Sequence, residues 1–393
     1  MNLHYSREDE RFRAEIRAWL EQEVPAHGAP PAADDWPARR AYDTAWQRKL
    51  HDAGWAGIAW PAELGGRGLP IARQLVYFEE YARAGAPYIG VNFVGLMHAG
   101  PTLIAEGSAA QRAFHLPRIL RGESVWCQGF SEPQAGSDLA ALRTRAERRG
   151  DEYVVSGQKI WSTRAHVADW CELLVRTDAG APKHEGITWL ILDMHQPGVT
   201  VRPMRTIDGE SHFCEVFLDE ARVPISNRVG AENDGWRIAN VTLRFERGTA
   251  FAQHIITLRS QLLRLASLAR ARRTARGTAW DELRGRIGRL AASVEALWRL
   301  TQMCVTEAER SGMPSPLGSA LKLRYSEIAQ EITELAVRVV GKPIIAAAEL
   351  ADVCTGDLAR EYLWSLQTTI AAGTSQIQRN LIAQRILGMP KGR

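Results

Sequence analysis

Apolar positions in the first third of the chain recur with helical period. From Asp9 to Glu23, the residues Phe12, Ile16, Trp19 and Leu20 fall at i, i+4, i+7 and i+8, and Tyr42, Trp46 and Leu50 repeat the stripe after Pro37. Both segments are expected as amphipathic helices. The turn-rich stretch Gly54 to Pro70 leads into another helical run, Ile71 to Ala84, and a short helix is expected from Ala109 to Leu116, where Pro117 should interrupt it.

Between Val125 and Val229 the period changes. Runs rich in Val, Ile, Trp and Phe appear at Tyr153–Ser156, Lys159–Ser162, Ile187–Asp193, Val199–Met204 and Cys214–Leu218, separated by Gly, Pro and Asp turns. Short strands at this spacing suit a barrel or a sandwich. From Gly235 onward, helical segments return at Trp236–His254, Thr257–Ala275, Asp281–Ser311, Ser319–Val340 and Leu358–Ala372, as a helical bundle requires. The expected architecture is α+β in three domains: helical over 1–123, β over 124–234 and a helical bundle over 235–393.

Composition narrows the function classes. A chain of 393 residues with 45% hydrophobic and 24% charged positions is an ordinary globular protein, neither disordered nor collagen-like. Its charged opening cannot be the apolar core of a secretory signal, and no stretch approaches the ~18–20 apolar residues of a membrane helix, so a soluble, cytoplasmic protein without membrane insertion is expected. The formal charge of +4 calls for no nucleic-acid partner. Nine Arg between Arg259 and Arg289 face only Asp281 and Glu282. They read as a solvated helix face with a basic loop, or as a site for an anionic partner, and Trp280 is the one aromatic among them. Five cysteines, odd in number and without a CxxC pair, argue against a disulfide framework or a zinc site, and no metal is expected.

Three segments bear on chemistry. In Trp126-Cys-Gln-Gly-Phe-Ser-Glu-Pro-Gln-Ala-Gly-Ser-Asp138, hydroxyls and Gly-flanked N–H groups lie together, and such a loop can hold a polar ring or a pyrophosphate; a plain cluster of turns would look similar. In Gly157-Gln-Lys-Ile-Trp-Ser-Thr163, a strand end carries Trp161 before two hydroxyl residues, although a Trp in a strand ordinarily belongs to the core. The third, Ala371-Ala-Gly-Thr-Ser-Gln-Ile-Gln-Arg-Asn-Leu-Ile-Ala-Gln-Arg-Ile-Leu-Gly-Met-Pro390, is a Gly-Thr turn feeding a helix.

In this order, and with Gly54-Trp-Ala-Gly-Ile-Ala-Trp-Pro-Ala-Glu-Leu-Gly-Gly-Arg-Gly68 and Ala221-Arg-Val-Pro224 at matching spacing, these segments resemble the acyl-CoA dehydrogenase family over essentially the whole chain. The resemblance implies an α-helical N-terminal domain, a middle β-barrel and a C-terminal four-helix bundle, with FAD held between the last two and shared across a subunit interface. It implies that Gln128, Phe130 and Ser131 meet the flavin ring, that Ser137 bonds the pyrophosphate, and that Trp161 packs on the isoalloxazine with Thr163 near its hydride-accepting nitrogen. Thr374 and Gln376 would contact phosphates or ribityl, and Ser137, Leu243, Arg247 and Gly373 would line the substrate. The implied reaction removes an α-proton from an acyl-CoA and passes a β-hydride to FAD, giving a trans-2-enoyl product and sending electrons to an electron-transferring flavoprotein. A homotetramer or homodimer is implied, and some bacterial relatives are heteromers of unlike subunits.

That chemistry needs a carboxylate, because an α-proton beside a thioester is a poor acid in water. In the commonest family pattern a Glu stands directly before the Gly-Thr of the C-terminal motif, and here that position is Ala372. Some members instead carry the Glu on a C-terminal-domain helix in a Leu-x-x-Glu-Arg setting. Leu243-Arg-Phe-Glu-Arg247 fits it, making Glu246 the candidate base, with Arg247 placing the pantetheine arm or Glu246 itself. The backbone N–H of Ala372 survives the side-chain change and can still donate to the thioester oxygen. Residues 275–286 lack an Arg-x-x-Phe pattern, and Val339-Val-Gly-Lys-Pro343 replaces a Gly-rich loop, so the adenosine side departs from the family. Two alternatives stay open: an acyl-CoA oxidase or flavin monooxygenase relative, and a non-catalytic or half-site subunit of a heteromer.

Overall fold

The computed structural model describes residues 5–246, 250–272, 279–311, 315, 317–341 and 353–390, without the side chains of 244–246, 250–253, 279, 308–311 and 353–357. The chain divides into two compact units. One comprises residues 1–20, 70–84 and 247–393, the other residues 21–69 and 85–246.

Helices open the chain. In α1 (Arg7–His27) the stripe residues Phe12, Ile16 and Leu20 are buried, and α2 (Trp36–Asp52) buries Trp46 and Leu50. Asp35 caps α2 by accepting the Ala38 N–H at 3.0 Å, and Pro37 stands in the first turn, where its missing N–H costs nothing. Next come α3 (Ile71–Arg83), α4 (Gly100–Glu106) and α5 (Ala109–Leu120), with a π-helical turn at Gly95–Ala99 leading into α4. A reciprocal capping box between Ser108 and Gln111 starts α5. Contrary to expectation Pro117 lies inside α5 and does not end it, because Leu116, Ile119 and Leu120 are all buried and their packing outweighs one lost helix bond.

The second unit is built on one eight-stranded sheet. Its strands are β1 (Trp126–Gly129), β2 (Arg145–Arg149), β3 (Glu152–Thr163), β4 (Trp170–Arg176), β5 (Ile187–Asp193), β6 (Val199–Met204), β7 (Phe213–Pro224) and β8 (Arg228–Val229). They pair in the order β6-β7-β3-β2-β4-β5-β8, with β1 added in parallel to β4. Cys127, Tyr153, Val155, Leu173, Leu190 and Val216 belong to its core. The two runs expected between Tyr153 and Ser162 form a single strand, β3, interrupted by register shifts against β7. Gly129 ends β1 where β4 approaches closely, since a Cβ there would lie 2.8 Å from Cys171 Sγ. The run expected as one helix from Trp236 to His254 is described as α6 (Gly235–Glu246) and the start of α7 (Ala250–Ala271).

In the other unit, α7, α8 (Ala279–Ser311), α9 (Gly318–Val340) and α10 (Val353–Ser365) pack with α3 around Leu258, Leu265, Val294, Trp298, Ile328 and Ile332. The helix expected to reach Ala372 stops at Ser365 and passes into a tighter turn, Leu366–Thr369, before α11 (Ser375–Arg385). Among the described residues no helix is long and apolar enough to cross a membrane.

Glu80 on α3 is 2% exposed and is the charged centre of this unit. It accepts from Arg17 Nε at 2.8 Å, Arg83 Nε at 2.7 Å and Arg13 Nη1 at 3.1 Å. Burial alone would push its carboxyl up, but the guanidiniums outweigh burial and pull it down from 4.5 to about 2. A depressed carboxyl stabilises the fold above its unfolded value and loses that contribution as pH falls toward about 2. Discounting for solvent around the half-exposed Arg17 and Arg83, Glu80→Gln should cost about 2 kcal/mol at pH 6. That difference should vanish near pH 2, and equal urea midpoints for both proteins at pH 6 would refute it.

Candidate active site

The segment after β1 is held by a buried ion pair. Lys159 of β3 is wholly buried, and its Nζ lies 2.9 Å from Glu132 Oε1 and donates to the Phe130 carbonyl at 3.1 Å. Glu132 also accepts the Arg143 and Thr144 N–H groups at 2.7 and 2.8 Å, which satisfies both carboxylate oxygens. Burial pushes the Glu132 carboxyl up, yet Lys159 and these donors hold it below the usual carboxylate range. The Ile160 N–H donates to the Ser131 carbonyl at 3.0 Å. Phe130 and Ser131 are thereby fixed beside the end of β3, with Phe130 buried and Ser131 half-buried, while Ser137 further along the loop is exposed.

The end of β3 departs from regular strand. Its register against β7 shifts between Lys159 and Ser162, and within that bulge Trp161 adopts φ +61°. Arg164 follows at φ +53°, its guanidinium donating to the Gly90 carbonyl and its N–H to the His212 carbonyl. A bulky residue at positive φ costs on the order of 1–3 kcal/mol and persists only where its surroundings impose it. The consequence is orientation. Trp161 is 53% exposed, its ring edge-on to Phe213 with centroids 5.8 Å apart, whereas Ser162 is buried and Thr163 half-buried. Trp161 is therefore an outward-turned aromatic face rather than a core residue.

Gln128 is half-buried on β1, and its Nε2 donates to Glu172 Oε1 at 2.8 Å and lies 3.2 Å from His98 Nδ1. Leu243 is half-buried on α6, and Glu246 ends that helix; the Glu246 side chain and all of Arg247 lie outside the described residues. So do parts of both segments on the adenosine side, residues 275–278 and 342–343.

The C-terminal turn belongs to the other unit. Ala372 and Gly373 adopt φ +53° and +84°, and a Cβ on Gly373 would lie 2.7 Å from Gln378 Nε2. Buried Lys322 donates to the Gly373 carbonyl at 2.7 Å, and Gln378 Nε2 donates to the Ala372 carbonyl at 3.0 Å. Because a trans peptide points its N–H opposite to its C=O, drawing these carbonyls inward turns the Gly373 and Thr374 N–H groups outward. Thr374 caps α11 by accepting the Ile377 N–H at 3.2 Å, and Gln376 is exposed in its first turn.

Models of the acyl-CoA dehydrogenase N-terminal, middle and C-terminal domains match residues 6–123, 127–221 and 233–387. The chain is 40% identical over 390 residues to the acyl-CoA dehydrogenase IpdE1 of Mycobacterium tuberculosis, covering 97% of this chain and 98% of that protein. The chain belongs to the acyl-CoA dehydrogenase family. Acyl-CoA dehydrogenases of solved structure superpose along the full length: the Tcur3481–Tcur3483 steroid ACAD has a TM-score of 0.83 at 29% identity, with 100% of both chains covered. The ChsE4–ChsE5 complex of M. tuberculosis has a TM-score of 0.79 at 31% identity, also with 100% of both chains covered. The expected helical, β and helical order is thus that of the family.

Within this acyl-CoA dehydrogenase, the sheet unit brings together Phe130, Ser131, Trp161 and Thr163 through the Lys159 bonds and the Ser131–Ile160 bond. Reading the sequence singled out neither Lys159 nor Glu132. Lys159 shares the alternation of Tyr153 and Val155, all three fully buried, and a lysine at inward parity is the signal that could have marked it.

Proposed function

We propose that the protein catalyses FAD-dependent α,β-dehydrogenation of an acyl-CoA thioester to its trans-2-enoyl product. The observation that carries this reading is Trp161, an aromatic face turned outward at a left-handed backbone position beside Thr163 and a clamped hydroxyl loop. A planar, polar ring needs such a face together with nearby donors, and the residues present fit FAD. Gln128, Phe130, Ser131, Trp161 and Thr163 hold the ring, Ser137 the pyrophosphate, and Thr374 and Gln376 phosphates or ribityl. When bound, FAD supplies the acceptor for the β-hydride. Glu246 removes the α-proton, since the methyl group of Ala372 cannot. The N–H of Ala372 donates to the thioester oxygen and stabilises the developing negative charge there. Leu243, Arg247, Gly373 and Ser137 position the thioester, and an electron-transferring flavoprotein reoxidises the enzyme.

A second reading concerns substrate and assembly. Two structural relatives carry names that pair unlike chains, and one is named a steroid ACAD. This favours a ring-bearing acyl group and a heteromer containing an unlike homologous subunit.

Anaerobic titration of the purified protein with butyryl-, octanoyl-, isovaleryl- and cyclohexane-1-carbonyl-CoA and a fused-ring acyl-CoA tests both. A yellow protein bleached by the ring-bearing thioesters is expected, while a yellow protein that none of them bleaches would overturn the dehydrogenase reading. A protein that is colourless alone but yellow when co-expressed with a homologous chain would establish the heteromer.

A further inference from the structure

A chain of buried polar groups runs from Gln128 of β1, one of the residues proposed above to hold the flavin ring, to α6. Its anchor is Glu172 of β4, wholly buried, whose Oε1 accepts from Gln128 and lies 3.3 Å from His98 Nδ1. His98 is 4% exposed and is carried by the π-helical turn Gly95–Ala99, where the extra residue re-aims side chains relative to a regular helix. The His98 carbonyl accepts the Thr102 hydroxyl at 2.8 Å. Thr102 Oγ1 lies 2.8 Å from Thr242 Oγ1; with the Thr102 proton committed to His98, the Thr242 hydroxyl is the donor across this contact, the Ile238 carbonyl one turn back at 3.3 Å being its longer alternative. Thr102 and Thr242 are 0% and 1% exposed. Thr242 is on α6, and position 246 follows it by one helical turn.

Hydroxyls buried in an apolar setting favour the one arrangement in which each has a partner, because leaving one unpaired costs about 1–3 kcal/mol. This chain ties the strand that opens the hydroxyl loop to the helix that ends at Glu246. We propose that Thr102 and Thr242, anchored through His98 and Glu172, are positioning residues that set where Glu246 stands relative to β1. The proposal rests on the reading of Glu246 as base. A base misplaced by a fraction of an ångström loses rate without losing ligand affinity, since the approach distance to the α-carbon enters the barrier and the binding contacts do not.

The test is the rate of anaerobic flavin reduction in the purified holoenzyme, driven by whichever thioester of the panel bleaches the wild type. Thr242→Val preserves shape and removes the hydroxyl, whereas Thr242→Ser keeps it. Thr242→Val should retain FAD, lower the reduction rate about tenfold at unchanged KM, and raise the isotope effect with α-deuterated substrate. Thr242→Ser should restore wild-type values, and the pair Thr102→Val and Thr102→Ser should behave alike, which serves if Thr242→Val does not fold. Glu246→Gln separates the two failures. If that variant is reduced at the wild-type rate, the base assignment falls and this proposal with it. If it is not reduced, yet the Val and Ser variants match the wild type in rate and isotope effect, the positioning proposal alone is overturned.

Discussion

Replacing Glu246 by Gln is expected to leave the yellow colour of the protein intact and to slow substrate-driven flavin reduction about a thousandfold, within the range that general base catalysis supplies. The substitution keeps size and removes the only feature the step requires, an acceptor for the α-proton. In the commonest family arrangement another carboxylate would stand before the Gly-Thr turn; Ala372 occupies that place and offers an N–H alone. The same fact supplies a gain-of-function control. Ala372 already adopts φ +53°, so a Glu there adds no new backbone conformation, and Glu246→Gln combined with Ala372→Glu should recover part of the lost rate. Stopped-flow absorbance of the anaerobic enzyme checks both variants. Wild-type reduction by the single variant would remove Glu246 from the base role.

Much of this fold was legible because its elements are local. The bounds expected for β5 and β6, Ile187–Asp193 and Val199–Met204, are those observed, since each is a run of strand formers closed by turn residues. β7 runs on past Leu218 to Pro224: Asp219 and Glu220 fall in a register shift, Glu220 at φ +51°, and pairing with β3 resumes from Ala221 to Pro224, continuing a strand that composition does not announce. Pro117 misled for the complementary reason, as the tertiary burial of Leu116 and Ile119 decided a point that local propensity contested. The candidate site divides in the same way. Its hydroxyls and its Gly-Thr turn announce themselves by residue type, but the outward aim of Trp161 depends on a bulge, and the pairing of Lys159 with Glu132, 27 residues away, exists only once the sheet has formed. Glu172 and His98 are polar residues amid apolar neighbours, and what they bind is set by β1 pairing with β4 and by a π-helical turn, neither of which has a short-range signature.

Lys159→Met is expected to destabilise the sheet unit locally by about 3–5 kcal/mol and to release FAD. Methionine fills most of the lysine's volume, so the loss is electrostatic. Glu132 remains 3% exposed, still accepting the Arg143 and Thr144 N–H groups but without its counter-ion, and the Phe130 carbonyl loses its donor. Hydrogen exchange of the amides in β1 and β3 should accelerate by roughly two to four orders of magnitude, the kinetic equivalent of that free energy where opening is at equilibrium. Its pH dependence carries the sign. In the wild type the Glu132 carboxyl lies below its ordinary value, so its contribution is present at neutral pH and lost only in acid. In Lys159→Met the lysine's charge no longer opposes burial, which leaves only the Arg143 and Thr144 donors against it, so that carboxyl rises and the variant gains protection as pH falls from 8 to 5 and the carboxyl takes up a proton. Adding Glu132→Gln removes the uncompensated charge and should return most of the protection at pH 8, because breaking one half of a buried pair costs more than replacing both halves. Exchange rates in Lys159→Met equal to wild type, or unchanged between pH 8 and 5 once the intrinsic pH dependence of exchange is divided out, would show that the Phe130–Ser137 loop is held by something other than this ion pair.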